Sequence, residues 1–391
     1  MEKHFKDFEI LKQIIFQETS KSTRFILYGD ADLDGVSSVI ILKETLELLN
    51  PEYKHSQLKI YFPDRERDGY GITQRALSDL KKEAPGIFVA LDCGITNFKE
   101  VKEAQKLGFR VIIIDHHQVL DKLPKAEVII NPKRKDDPYP FKLFSAAGLT
   151  YKVCKGILLE SNIAWRPEAF LELVALATLA DQMPLQDENK KLVEEGLRAL
   201  EYTQRLGIQV LKEITQYQEG NQIDLFQKII APLNSSERRD HLTESFILLT
   251  TQSPKIARII AQDLYQKSLE KKERINQILE EVEKRIQNST LPIIYEGDPS
   301  WPTVLIGIVA SKLLQKYKKP TFLFKIRNEE SICSARLPKG YDGVEALKYC
   351  SDLLETYGGH PPACGCRLKT QNLEKFKEKL IEYFQKHKLQ Q

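Results

Sequence analysis

The 391-residue sequence has no surplus of either charge: 58 lysines and arginines stand against 55 aspartates and glutamates, a formal net charge of +3. That balance excludes a chain coated in positive charge, so any nucleic-acid surface must be a local cleft. No amino-terminal apolar stretch resembles a signal peptide, and no run approaches the ~18 apolar residues of a membrane span, so a cytoplasmic chain outside the membrane is expected. The six cysteines, Cys93, Cys154, Cys333, Cys350, Cys364 and Cys366, form no Cys-x-x-Cys framework. They are expected to be buried, reduced thiols of a cytosolic protein. There is no internal repeat and no long low-complexity linker, and the length exceeds what one core usually supports, which predicts two domains.

What the sequence does have is acids placed at the ends of apolar runs. Phe25-Ile26-Leu27-Tyr28 leads into Asp30, Asp32 and Asp34, closed by Gly35. Alternate residues of an extended chain share a face, so the three carboxylates are expected to converge, with Gly35 turning the backbone into a helix over 36–49. Taken alone, this string fits a solvated acidic turn as well as a metal site. Two further runs end the same way: Ile87 to Leu91 meets Asp92, and Arg110 to Ile114 meets Asp115-His116-His117. Helical spacing over 73–82 and 97–107 separates the runs, which predicts an α/β fold with a parallel sheet. Ligands of such sheets sit at the carboxyl ends of the strands, so three acid clusters there point to a metal centre. A fourth contributor, Asp181, ends the apolar segment Leu171 to Ala180. Burying it would require a partner for its charge, whereas a plain helix cap would not.

These strings resemble the DHH phosphoesterase superfamily, and within it the RecJ-type single-strand exonucleases. The resemblance extends through Asn131-Pro132, Ala147-Gly148, the segment around Asp181, Ala231 to Arg239, Trp301 to Ser311, Arg336 and Gly358 to Gly365. It implies a two-lobed protein: a parallel-sheet DHH catalytic domain with a helical extension over 1–250, a long connecting helix over 251–291, and a smaller α/β DHH-associated domain over 292–391, with the active-site cleft between the lobes. Five oxygen ligands and one imidazole suit two hard divalent cations, with Mn²⁺ favoured and Mg²⁺ as a substitute. Asp30 and Asp32 are assigned to one cation, Asp34, His116 and Asp181 to the other, and Asp92 bridges them. Asp115 is expected to orient His116 from behind the ligands. The resemblance gives His117 to a substrate phosphate.

Substrate contacts implied by the resemblance are Arg65, Asn234, Arg238, Arg336, Gly358, Gly359 and His360, with Gly69 and Gly71 shaping the loop that offers Tyr70 for stacking. Without it, Arg238 reads equally as a solvated charge and the Gly-Gly-His as a structural turn. Glu237 departs from the family by standing where a glycine is usual. The apolar residues Ile256, Ile259, Ile260, Leu264, Leu269, Ile275, Ile278, Leu279 and Val282 predict one helix over 255–288, as a lobe connector or, in the rival reading, a coiled coil. Strand character is expected for Pro320 to Lys325 and before Arg336, and helices for Trp301 to Lys312 and Leu373 to His387. RecJ-type enzymes usually add an OB-fold after the glycine-histidine motif, and none is expected here.

The function so implied is Mn²⁺-dependent 5′-to-3′ hydrolysis of single-stranded nucleic acid, DNA favoured over RNA, releasing 5′ mononucleotides in repair, recombination or replication. The alternatives are a short-oligonucleotide or cyclic-dinucleotide phosphodiesterase and, from another class, a replication scaffold that has lost its ligands. A protein partner is left open.

Overall fold

A computed structural model describes residues 4–53, 57–120, 122–161 and 163–387. The chain forms two compact units, Met1–Ser268 and Leu269–Gln391.

In the first unit, strands β1 (Phe25–Gly29), β2 (Leu58–Tyr61), β3 (Gly86–Leu91), β4 (Phe109–Ile114) and β5 (Val128–Ile130) form one sheet in the order β2-β1-β3-β4-β5. All four pairings are parallel. Both faces of this sheet are covered, which explains why its strands read as unbroken apolar runs. Phe25, Leu27, Val89 and Ile112 meet the helices Leu33–Leu49, Ala146–Ser161 and Glu168–Ala180 on one side. Ile26, Tyr28, Phe88 and Ile113 meet Gln74–Leu80 and Phe98–Lys106 on the other. A small antiparallel ribbon pairs β6 (Arg238–Arg239) with β7 (Leu242–Thr243).

The acidic string after β1 does not continue as a strand. The chain bends at Ala31 and Asp32, and the helix starts at Leu33, with the Asp32 carboxylate accepting from the backbone N–H groups of Asp34 and Gly35 as its N-cap. Strand alternation is therefore not what gathers the three aspartates. Gly35 lies inside the first helical turn, where a Cβ would come within 2.3 Å of the Asp30 carbonyl oxygen. Its glycine is required by close packing of helix on loop, not by a turn.

The helix Pro254–Ile286 runs through the boundary between the units. Its first part buries Ala257, Ile260, Ala261 and Leu264 in the core of the first unit, while Ile275, Ile278 and Val282 enter a core of the second. Ile256, Ile259 and Leu269, counted in the apolar stripe of the sequence, are exposed. Ile260, Leu264, Ile275, Ile278 and Val282 of that stripe are buried, and Ala257 and Ala261 join them.

In the second unit, β8 (Ile294–Asp298), β9 (Thr321–Lys325), β10 (Glu330–Arg336), β11 (Leu354–His360) and β12 (Ala363–Lys369) form a mixed sheet in the order β11-β12-β10-β9-β8. Only β8 and β9 run parallel. Helix Thr303–Tyr317 covers one face and helices Gly343–Tyr349 and Leu373–Lys386 the other. Trp301 precedes its helix instead of starting it. It is fully buried, and its indole N–H donates to Glu281 at 2.7 Å. All six cysteines are buried and none is in a disulfide.

Candidate metal centre and phosphate-binding groups

Strands β1, β3 and β4 are neighbours, and the parallel ladder continues one residue past each of them. Asp30 N–H donates to the Leu91 carbonyl (3.2 Å), Asp92 N–H to Ile114 (3.0 Å) and Asp115 N–H to Ile130 (3.1 Å). These bonds set three acids level along the carboxyl edge. The chain goes outward from β1 to β2 and then returns to β3, so the acids line the crevice where the strand order reverses.

Three sets of side chains come together there, each with ligand atoms within 4.8 Å of one another: Asp30, Asp32 and Asp92; Asp34, His116 and Asp181; and Asp92, His116 and His117. Asp34, on the first turn of its helix, accepts from the N–H groups of Ala146 (2.7 Å) and Ala147 (2.8 Å) at the start of another helix. Burial pushes its carboxyl well above the usual range, with the charges of Asp181 and Asp32 adding to the shift. Asp92 is pushed the same way, by burial and then by Asp34, Asp32 and Asp30. Its backbone is left-handed (φ 62°), a conformation that aspartate tolerates better than most residues. Burial also raises Asp30, against the pull of Arg65. Asp32 is only partly buried; desolvation raises it, but the Arg65 charge and hydrogen bond together with the Gly35 N–H outweigh that and hold it low. Asp181 caps helix Glu168–Ala180 with its side chain 37% exposed, so the expected penalty of a fully buried acid does not arise. Partial burial and the Asp32 charge still raise it to about 6.

The imidazoles have different partners from those expected. Asp115 does not hold His116: it bonds to His117 Nδ1 at 2.8 Å and accepts from the backbone N–H groups of His117 and Ile95. Burial disfavours charge on His117, but the Asp115 bond and charge overcome it and raise its pKa. His116 instead sets Nδ1 2.8 Å from the Phe144 carbonyl oxygen. A carbonyl can only accept, so Nδ1 carries the proton. Burial lowers the His116 pKa to about 4, which leaves Nε2 as a bare lone pair. That lone pair faces carboxylate oxygens of Asp92 (3.3 Å), Asp181 (3.7 Å) and Asp34 (3.8 Å). Asp92 Oδ1 is buried with no hydrogen-bond donor among the described residues. Acceptors facing acceptors in a buried site leave about 1–3 kcal/mol per unmade bond, which a cation would recover. The donor set, carboxylate oxygens with one imidazole nitrogen, fits a divalent metal ion such as Mn²⁺ or Mg²⁺.

Around this centre, Arg65 lies on the carboxylates themselves. Its Nε donates to Asp30, and its Nη2 reaches both Asp30 and Asp32. Tyr70 is exposed, and its hydroxyl donates to the Asp92 carbonyl at 2.9 Å and lies 3.0 Å from His117 Nδ1. Asn234 accepts from Leu33 N–H at 3.1 Å, which ties its segment to the acidic loop. Arg238 stacks on Tyr61, its guanidinium carbon 4.9 Å from the ring centroid. The unusual Glu237 is exposed and pairs at 2.9 Å with Lys267, which also serves Glu244 and Asp263.

In the second unit, Arg336 has no carboxylate within ion-pair distance among the described residues. Its guanidinium donates to Ser311 and Ser334 hydroxyls (3.1 and 3.2 Å) and to the Ala335 carbonyl (2.9 Å). His360 ends edge strand β11 and is exposed. Gly359 has φ +129°, and a Cβ there would lie 2.6 Å from the Ala363 carbonyl oxygen, so its glycine is required by β12. Gly358 faces open space.

Sequence reasoning missed the backbone groups of Phe144, Ala146 and Ala147, which leave no mark in side-chain identity. It also passed over Lys133, whose position two residues after Asn131 was visible.

Comparison with known proteins places these features in a family. The model described as DHH family, N-terminal domain, matches residues 24–178, and that of the DHHA1 domain matches 290–386. The chain is 31% identical over 374 residues to the single-stranded-DNA-specific exonuclease RecJ of Bacillus subtilis (strain 168), covering 94% of this chain and 46% of that protein. It is 29% identical over 404 residues to the protein of the same name from Salmonella typhimurium (strain LT2), covering 95% and 68%. It thus spans about half the length of the first and two thirds of the second. A crystal structure of exonuclease RecJ bound to manganese superposes with a TM-score of 0.82 at 25% identity, covering 97% of this chain and 94% of that one.

Proposed function

The chain belongs to the DHH family, and from that premise we propose that it is a metal-dependent exonuclease that hydrolyses single-stranded DNA from the 5′ end and releases 5′ mononucleotides. The observation that carries this reading is the buried, donor-less Asp92 Oδ1 opposite the bare lone pair of His116, amid a surplus of carboxylates at the crevice. Asp30, Asp32 and Asp92 would hold one divalent cation, and Asp34, His116 and Asp181, with Asp92 shared, a second. The imidazole favours Mn²⁺ over Mg²⁺. When bound, such ions lower the pKa of water and neutralise charge that develops at phosphorus.

The chain's own side chains do the rest. His116 is kept neutral by burial and fixed by the Phe144 carbonyl, so it offers Nε2 without first losing a proton. His117, its Nδ1 anchored by Asp115 and its pKa raised, keeps Nε2–H as a donor for a phosphate oxygen. Arg65, Asn234 and Arg238 take the terminal phosphate or the adjacent backbone. Arg336, Gly358, Gly359 and His360 take further phosphate oxygens.

One assay tests the reading: 5′- and 3′-labelled single strands of DNA and RNA, with dinucleotides and cyclic dinucleotides alongside, are incubated with the chain and Mn²⁺. Mononucleotides released from the 5′ end of DNA are the expected result. Cleavage confined to dinucleotides would replace it with a short-oligonucleotide activity, and no cleavage of any strand would leave a scaffold.

A further inference from the structure

Strand β5 ends in Ile130, and the chain then makes a tightly held loop whose polar groups are engaged. Asn131 is fully buried; its Nδ2 donates to the His117 carbonyl at 3.0 Å and its Oδ1 accepts from Lys133 N–H at 2.8 Å. Arg134, also buried, donates to Asp7 and to the Ile129 carbonyl at 2.7 Å and pairs with Asp136 at 3.0 Å. The backbone of Lys133 is thus fixed from both sides, and one of its anchors is the peptide that carries His117.

The side chain of Lys133 is treated differently. Most other half-buried or buried cations of this unit sit on acids, such as Arg65 on Asp30 and Asp32, Lys152 on Glu188 and Arg205 on Glu44 and Glu172, while Lys59 lies 3.1 Å from His241 Nε2. Among the described residues, Lys133 makes no ion pair within 4.0 Å, although it is partly buried. It lies close enough for the charges of Asp115 and Asp181 to act on it, and its own charge acts on His116. Burial lowers its pKa, so the ammonium is held where water serves it poorly and no acid replaces the water. A cation kept partly dehydrated on a rigid loop beside a metal-type centre, with no acid of its own, has the chemistry of a receptor for an anion that arrives from outside.

We propose that Lys133 is a phosphate-binding residue of this centre, taking a non-bridging oxygen of the substrate phosphate on the side of Asp181 and His117. The assignment rests on the phosphodiesterase reading above. It adds a point charge on the loop after β5, the fourth at the sheet edge after those that follow β1, β3 and β4, and it complements the planar Arg65.

The test compares full-length wild type with Lys133→Gln, Lys133→Arg and the control Lys135→Gln, an exposed neighbour on the same loop. Mn²⁺ binding is titrated first, then binding of 5′-phosphorylated oligothymidylate to the Mn²⁺-loaded protein under single-turnover quench conditions across a salt series, with cleavage followed in the same samples. Lys133→Gln is expected to bind Mn²⁺ as wild type does, to lose about tenfold or more in oligonucleotide affinity, and to lower the salt slope by about 0.7, one phosphate's share. Lys133→Arg should recover most of the affinity, and Lys135→Gln should match wild type. Equal affinity and slope in Lys133→Gln would overturn the assignment, as would loss of Mn²⁺, which would make Lys133 a structural support of the centre. A wild type that binds the strand without cutting it would overturn the exonuclease reading alone, and its affinity set against that of Lys133→Gln would still decide the lysine.

Discussion

Two places in the first unit bury several charges, and they do so in opposite ways. Among the helices, Arg205 donates to Glu44 at 2.8 Å through both terminal nitrogens, sets Nε 2.9 Å from Glu172, and reaches the Leu249 and Ala169 carbonyls. Two carboxylates share one guanidinium: its terminal nitrogens are hydrogen-bonded, while Nε is paired with Glu172 by charge and makes no hydrogen bond among the described residues. At the sheet edge, Asp30, Asp32, Asp34, Asp92, Asp115 and Asp181 crowd together with Arg65 and His117 as their near cations. Buried charge is common to both, so burial alone is no sign of function. The distinguishing feature is surplus: in the helix cluster each carboxylate lies on the one guanidinium, whereas the edge cluster has many more acids than cations and leaves Asp92 Oδ1 without a donor among the described residues.

The largest effect should come from cutting the edge cluster at its shared member. Asp92→Ala is expected to lower kcat/KM by about 10³-fold or more, while metal-free protein unfolds at the same temperature as wild type or higher, because a repelled buried acid is gone. Calorimetry of the metal-free variant tests the comparison: destabilisation by several degrees would show Asp92 to be a structural charge after all.

The helix cluster should respond in reverse. Glu172→Ala leaves Arg205 short of one partner in a buried site and is expected to cost about 3–5 kcal/mol of stability, with kcat/KM per folded molecule unchanged. Denaturant unfolding measures the first and active-site-normalised kinetics the second. A loss of turnover larger than the loss of folded protein would break the contrast.

Moving to the second unit, His360→Ala removes a proposed phosphate contact and no metal ligand. We expect about a 10²-fold fall in kcat/KM with Mn²⁺ content unaltered, measured by metal analysis. Manganese lost along with His360 would mean that the surplus of the edge cluster is not resolved by the first unit's residues alone.

The smallest effect is a pH dependence. Protons and cations compete for the same raised carboxyls, Asp34 and Asp92 well above the usual range and Asp181 at about 6. Each of these folded-state values lies above its unfolded one, so without metal the charged forms weaken folding as pH rises, and metal binding reverses that. The stabilisation by Mn²⁺, read as a shift in Tm, should therefore be full above about pH 7 and shrink as pH falls through 6. In contrast, the contribution of the Arg205 cluster to Tm should show no such dependence on metal. A manganese shift that is flat from pH 5 to about 8 would show that the raised acids are not the ligands.

From sequence alone, the positions that matter at the sheet edge were legible because they depend on local pattern. An apolar run ending in an acid, repeated three times with helical spacing between, is enough to give parallel strands and acids at their carboxyl ends, and β1, β3 and β4 carry Asp30, Asp92 and Asp115 there. Periodicity likewise located the helix Pro254–Ile286, although it put Ile256 and Ile259 in the buried stripe where small Ala257 and Ala261 pack.

Only the tertiary structure decided which group serves which. That His116 is bound by Phe144 and Asp34 by Ala146 and Ala147 depends on where the chain returns after 28, 112 and 113 residues. These partners are backbone groups that every residue possesses, so side-chain identity carries no record of them. The same holds for Gly35, whose need for hydrogen in place of a methyl group arises from the neighbouring Asp30 backbone, and in part for Gly359, where the β12 backbone adds to the demand of its own positive φ. Local sequence specifies which chemistry is delivered to the crevice; the protonation, pairing and surplus charge of that chemistry follow from long-range contacts that form only when the sheet and its helices close around it.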